Sequence, residues 1–166
     1  MTEIILRNLA SIFLRRDGQM LLLYRQGSRV VGDAWVSSAG GHLEQAELNR
    51  PQAAVLRELQ EELGLRADQL ADLRLRYITL KRKGDEVRQH YYYFAELLPG
   101  AEPQPSTEGI SSWVPLAEMI DKNMPYTSQK VAEHWLAEGR FSADLYAAVA
   151  DEQGMHFFVL PGAAAE

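Results

Sequence analysis

"GGHLEQAELNRPQAAVLRELQEELGL", residues 40–65, opens on a glycine pair and closes on a crowd of glutamates. Its second half carries the punctuation of a helix. Pro51 suits the first helical position, and Gly64 falls where a left-handed C-cap is expected. At about 100° per residue, Val55, Leu56, Leu59 and Leu63 share one side and should face a sheet. Glu58, Glu61 and Glu62 fall on the other side at i, i+3, i+4, with Ala54 in the middle of that face and Arg57 beside it. This grouping is costly. Like charges at i, i+4 destabilise a helix by roughly 0.2–0.5 kcal/mol. Carboxylates in a last turn also oppose the helix dipole, by about 0.3–1 kcal/mol each when exposed. Arg57 offsets part of that. Two readings stay open: a solvated face that bears the cost, or a site for a divalent cation. Donors that are all oxygen suit a hard ion, Mg²⁺ or Mn²⁺, better than zinc.

The surroundings narrow the class. A chain of 166 residues fits one domain, residues 1–166, large enough for a real core. The formal net charge of -6 argues against a nucleic-acid partner. The absence of cysteine excludes disulfides, thiol nucleophiles and thiolate metal sites. No apolar run approaches a membrane span and no leader-like segment opens the chain, so no membrane partner and a cytoplasmic location are expected.

Turn signals mark the strands. Asp17-Gly18 separates "IILRNLASIFLRR" from "MLLLYRQ", a hairpin pattern. "GDAWVSSAGG" suggests a short strand running into a glycine turn. "LRLRYITLKR" and "VRQHYYYFAEL" suggest a second hairpin through "KGDE", with Tyr92 facing opposite to Tyr91 and Tyr93. After a proline-rich loop, "PLAEMID" predicts a short helix, and "TSQKVAEHWLAEG" a longer one capped by Thr127. "MHFFVLPG" suggests an edge strand before a weakly ordered "AAAE". The expected class is α/β (α+β), a mixed sheet between helices, with residues 121–166 as a helical extension.

The spacing within the opening stretch is specific. Gly41 is followed after five residues by Glu47, and later come Arg57-Glu58-Leu59, one residue, Glu61-Glu62, one residue, and Gly64-Leu65. This resembles the signature box of the Nudix hydrolase family across residues 41–65, with every fixed position filled. It departs from the family pattern by two extra residues between Glu47 and Arg57, which lengthen the loop before the helix. "EGISSWVPLAEM" is similar to the family's acidic-then-tryptophan segment. The resemblance implies an α/β/α sandwich and hydrolysis, with Mg²⁺ or Mn²⁺ and water, of a nucleoside diphosphate linked to another moiety. A small-molecule nucleotide is then the substrate. A homodimer is left open.

By the same resemblance, Glu61 and Glu62 are expected as metal ligands and Glu58 as a ligand or the partner of one. A carbonyl of Gly40 or Gly41 is a further ligand. Arg57 should hold the glutamates in a two-pronged contact, and Glu47 should tie the loop to the helix. Glu108, five residues before Trp113, is a candidate ligand or general base, ahead of Glu86. Arg25 and Arg88 are candidates to contact the diphosphate, and Trp35 to stack on a base; His42 and His90 are weaker candidates. A nucleoside triphosphate pyrophosphohydrolase, releasing a monophosphate and pyrophosphate, is the leading expectation for a compact chain. An ADP-ribose or nucleotide-sugar pyrophosphatase and a non-catalytic nucleotide sensor are the alternatives.

Overall fold

In the computed structural model, residues 3–27 and 33–161 are described; Gly32 and the "AAAE" tail lie outside them. Strands β1 (Ile5–Arg16) and β2 (Gln19–Arg25) form the expected hairpin, with Leu14 opposite Leu21. Asp17 and Gly18 take φ of 52° and 73°, the primed geometry whose twist matches that of paired strands. After β3 (Ala34–Val36) and β4 (Ala39–His42) comes helix α1 (Pro51–Leu63). The long strands β5 (Leu70–Lys83) and β6 (Glu86–Leu97) form the second hairpin, and β6 returns parallel to β1. β7 (Ile110–Pro115), a 3-10 turn over Leu116–Asp121, α2 (Tyr126–Ala137), β8 (Tyr146–Asp151) and β9 (Gly154–Val159) complete the described chain. The nine-stranded sheet runs β3-β2-β1-β6-β5-β8-β9, with β4 paired to β1 and β7 to β2.

Alternation along the strands builds two cores. β1 sends Ala10, Ile12 and Leu14 to one face, where α1 adds Val55, Leu59 and Leu63. It sends Phe13 to the other, where α2 adds Val131, Ala132 and Trp135. Tyr93 belongs to the first cluster and Tyr92 to the second, as the alternation of the tyrosines requires. Full burial of leucines such as Leu59 and Leu63 stabilises by about 1.5–3 kcal/mol each. The result is a sheet between helices. No helix among the described residues is long and apolar enough to cross a membrane.

The helix predicted over Pro51–Leu63 has those bounds, and Gly64 closes it at φ 64°. Four expectations are corrected. Ala54 is fully buried rather than centred on the polar face, because an uncharged methyl lets that turn settle against the sheet. The glycine pair is not a turn: Gly40 and Gly41 lie in β4, opposite Ser11 and Ala10 of β1. Thr127 is not the N-cap, since α2 starts one residue before it with Pro125 in the cap position. Finally, residues 121–166 are not helical throughout, for after α2 the hairpin of β8 and β9 extends the sheet beside β5.

A left-handed residue is unfavourable for any side chain by about 1–2 kcal/mol, and a Cβ on Gly64 would also run into the Gln104 side chain. Gly64→Ala should therefore lower stability by about 1–2 kcal/mol. In urea unfolding the midpoint should fall with the slope unchanged; an unmoved midpoint would contradict the cap.

Candidate active site

Arg57 organises the polar side of α1. Its Nε donates to Glu47 Oε1 at 2.7 Å and Nη2 to Glu47 Oε2 at 3.0 Å, a two-pronged ion pair. Nη1 donates to Glu58 Oε1 at 2.8 Å and to Glu61 Oε2 at 3.1 Å. Nη2 also reaches the His42 carbonyl, at 3.2 Å, which ties β4 to the same point. Glu47 sits in the 3-10 turn Gln45–Glu47 and is buried, at 7 % exposure, where Oε2 also accepts the Glu44 backbone N–H at 2.8 Å. Contact with Arg57 holds the Glu47 carboxyl below its usual range against the opposing pull of burial. The hydrogen bond to Glu47 likewise raises Arg57 above the ordinary guanidinium value. The two residues that the lengthened loop adds have not displaced Glu47 from the helix.

The other acids differ in setting. Glu58 is mostly buried over β4, so close that a Cβ on Gly41 would overlap its carboxylate. Glycine at 41 is thus a condition for seating Glu58. Glu61 is more than half exposed and, among the described residues, held only by Arg57. Glu62 is turned inward, and its Oε2 is buried with no hydrogen-bond partner among the described residues. Burial pushes the Glu62 carboxyl up to about 7; the Glu58 carboxylate adds to the rise, and Arg25 opposes it.

Arg25 shares the α1 side of β2 with Leu21. It forms an ion pair with Glu108, which the pairing of Tyr24 with Ile110 brings alongside. These two residues are 83 positions apart, and no local spacing reports their pairing. The structure therefore gathers Arg57, Glu58, Glu61 and Glu62 on α1, sets Gly41 beneath Glu58, and joins Glu108 to the edge of the group through Arg25. It does not bring Trp35 or Arg88 there. Trp35, opposite Tyr24 on β2, packs with the α2-side cluster and lies under the Lys122 ammonium, 5.2 Å from its ring centre. Arg88 is ion-paired with Glu86 at 3.1 Å near the start of β6, and that pair also removes Glu86 from the site.

Among the described residues, no three acidic or histidine side chains are arranged to hold a metal ion as they stand. The donor chemistry nevertheless fits a hard cation. The acids offer only oxygen, Glu62 keeps a buried oxygen without a partner, and two neighbouring carboxylates call for positive charge between them.

The NUDIX domain family matches residues 6–137. The chain belongs to that family. It is a hydrolase of phosphoric anhydrides, acting on nucleoside diphosphate-linked substrates. Solved Nudix structures share its fold. A mutator MutT protein from Bacillus halodurans superposes with a TM-score of 0.63 at 19% identity, over 94% of this chain and 99% of that one. A MutT protein from Methanosarcina mazei Go1 gives 0.68 at 21%, over 84% and 99%. A C. elegans Ap4A hydrolase, in a binary complex, gives 0.64 at 18%, over 84% and 100%. No curated protein matches the chain.

Two expected outcomes follow from this geometry. Gly41→Ala should displace the Glu58 carboxylate and reduce turnover about 10–100-fold, with the far-UV circular dichroism spectrum unchanged; retained turnover would show that Glu58 needs no such seat. The second concerns His90, on the α2 side of the sheet, which bonds Ser11 Oγ at 2.7 Å and stacks on Tyr92 at 4.0 Å. Burial lowers its imidazole to about 3, with His42 adding to the fall. Between about pH 3 and 6.5 the unfolded chain binds this proton and the folded chain does not, so stability falls as pH falls through that window, by up to about 1.4 kcal/mol per unit. His90→Gln should flatten this slope in denaturant melts at pH 4.5, 5.5 and 6.5; an unchanged slope would place the proton uptake elsewhere.

Proposed function

We propose that the chain is a Mg²⁺-dependent nucleoside triphosphate pyrophosphohydrolase, releasing a nucleoside monophosphate and pyrophosphate. The observation that carries this reading is the cluster of Glu58, Glu61 and Glu62 around an orphaned, buried carboxylate oxygen. Such a surface repels a polyphosphate unless a cation lies between them. Mg²⁺, with Mn²⁺ as its substitute, would be held by Glu58, Glu61 and Glu62 with a Gly41 carbonyl, and Glu108 is a further candidate. When bound, it would neutralise phosphate oxygens and make the attacking water more acidic.

The protein's own groups have separate tasks. Arg57 fixes the glutamates and the loop through Glu47 and does not touch the substrate. Arg25, ion-paired with Glu108, supplies positive charge at the margin where a diphosphate would enter, and Glu108 is the acid placed to take up a proton there. A triphosphate is placed ahead of a sugar-linked diphosphate as the simpler fit to a compact chain of 166 residues.

The test is a product assay with Mg²⁺ across nucleoside triphosphates, oxidised triphosphates, ADP-ribose, nucleotide sugars and dinucleoside polyphosphates, with products identified by mass. The expected products are a monophosphate and pyrophosphate from a triphosphate. Glu61→Gln should lower that turnover by about 10²-fold or more with the fold intact. Two monophosphates from a sugar-linked substrate, with triphosphates untouched, would overturn the reading. Full activity in Glu61→Gln would overturn the metal assignment, and full activity in Glu108→Gln would remove it as base.

A further inference from the structure

On the α2 side of the sheet, a second concentration of charge has the opposite sign. Arg15, Arg74, Arg76 and Arg140 line one cavity of about 100 Å³, together with Asp72 and Ser142. At about 30 Å³ per water, that is room for a group the size of a tetrahedral oxyanion. Four guanidiniums in one cavity are anomalous in a chain whose net charge is -6.

The arginines are only partly neutralised. Arg15 pairs with Glu96 at 3.0 Å and lies 5.9 Å from the centre of the Trp135 ring. Arg74 Nε is held by Asp72 at 2.5 Å, which leaves both terminal nitrogens without a described partner. Arg140 stacks over Phe141 at 4.6 Å and has no carboxylate partner among the described residues. Arg76 is the most telling. It is buried at 7 % exposure and donates to the carbonyls of Asp144, Gly139 and Ser142 at 3.0, 2.7 and 2.9 Å. Carbonyl dipoles hold it in place, yet no described carboxylate balances its charge. A buried cation without a counter-ion is costly unless an anion reaches it, and its Nη1 has no described acceptor.

The backbone around these side chains is irregular. β5 departs from regular pairing with β6 twice, between Ala71 and Arg74 and between Leu75 and Tyr77. Each step adds one residue against the partner strand, which is how a bulge re-aims side chains. Arg76 is the extra residue of the second bulge; it alternates from Leu75 to the α2 side, and the bulge brings Tyr77 to that side with it. At the first, Asp72 takes φ 53°, a left-handed conformation unfavourable for a residue with a side chain. The bulges keep Leu70, Leu73 and Leu75 on the α1-side core and Tyr77 on the other, while strand period alone sets Asp72, Arg74 and Arg76, at i, i+2, i+4, around one hollow.

We propose that this cavity is a second binding site, for a small oxyanion of the phosphate class. It is separate from the glutamate helix. Gly40 lies opposite Ser11 of β1, and Arg15 is four residues further on, about 13 Å along the strand and on the other face of the sheet. Four guanidiniums suit a dianionic phosphate better than a monovalent anion, and forked N–H pairs match its oxygens. Inorganic phosphate and pyrophosphate share this chemistry.

The test uses the full chain without added divalent cation, so that the glutamate helix has no means of holding phosphate. Inorganic phosphate and pyrophosphate are titrated separately at fixed ionic strength, with chloride and acetate as controls, while the Trp135 indole and arginine Nε–H resonances are followed by NMR. The expected result is a saturable shift at these resonances with one or both phosphate anions, and the anion that saturates at lower concentration names the source. Arg140→Ala and Arg74→Ala should each weaken it about tenfold or more while leaving Mg²⁺-dependent turnover unchanged. Both positions are substantially exposed, so neither variant depends on refolding around a lost core residue. Shifts that chloride or acetate reproduce, that do not saturate, that persist in both variants, or that appear only along α1 would each overturn the proposal.

Discussion

The two-pronged pair of Arg57 with Glu47 is the interaction on which the site depends. Removing either partner would strand a charge: Glu47 is buried, and a buried carboxylate without its counter-ion costs several kcal/mol. The pair spans ten positions and fastens the loop before α1 to the second turn of the helix. Through the His42 carbonyl the same guanidinium fastens β4 as well. Helix, loop and strand then have one relative placement. In that placement the flat backbone of Gly41 comes under Glu58, and Glu62 turns toward the sheet. Much of the like-charge repulsion along α1 is absorbed by the same guanidinium, which shares its Nη1 between Glu58 and Glu61.

What could be read in advance divides by range. The bounds of α1 are local, because proline and glycine mark its ends by their own backbone preferences. Asp17-Gly18 and Gly84 mark the two hairpins for the same reason. The face of α1 that carries Glu58, Glu61 and Glu62 follows from helical period alone. β4 is different. Two adjacent glycines have weak strand preference, and it is pairing with β1, already central in the sheet, that extends them. The hairpin of β8 and β9 was half visible: "MHFFV" has a strand's composition, but "YAAVAD" is alanine-rich and becomes a strand because β5 offers it a parallel edge. Arg25 with Glu108, and the arginines of the bulged β5, depend on partners far along the chain and left no local trace.

Sheet alternation then separates two chemistries. Residues on the α1 side of β1, β2 and β6 support the acidic helix; those on the α2 side include Trp35, Arg88 and the Ser11–His90 pair. Tryptophan and histidine beside a glycine-rich segment suggested one site when read in line, because a one-residue step in a strand moves a side chain to the opposite face. Trp35 precedes the glycines by only a few residues, yet its pairing with Tyr24 places it with Met20 and Leu22, behind the sheet as seen from the glutamates. Proximity in sequence is a poor guide to proximity in a site once a strand intervenes.

Elsewhere in this fold the levels of structure agree: caps, turns, alternation and core composition favour the same arrangement, which is the usual condition for a single native state. Three exceptions bear on the sites. Carboxylates crowd a helix end that repels them, a buried Glu62 oxygen has no donor among the described residues, and an aspartate with a left-handed backbone in β5 shares a cavity with buried Arg76, which has no counter-ion among the described residues. Packing does not require the first two, since a leucine at 62 would continue the same core, and it does not require the arginine at 76 to lack a described counter-ion. The first two call for positive charge, and the third calls for negative charge. Their signs, their opposite faces and their distance along β1 make them two separate demands on the solvent. A chain that hydrolyses phosphoric anhydrides releases a phosphate-class anion in every turnover, and under the proposed function its substrate arrives with a cation.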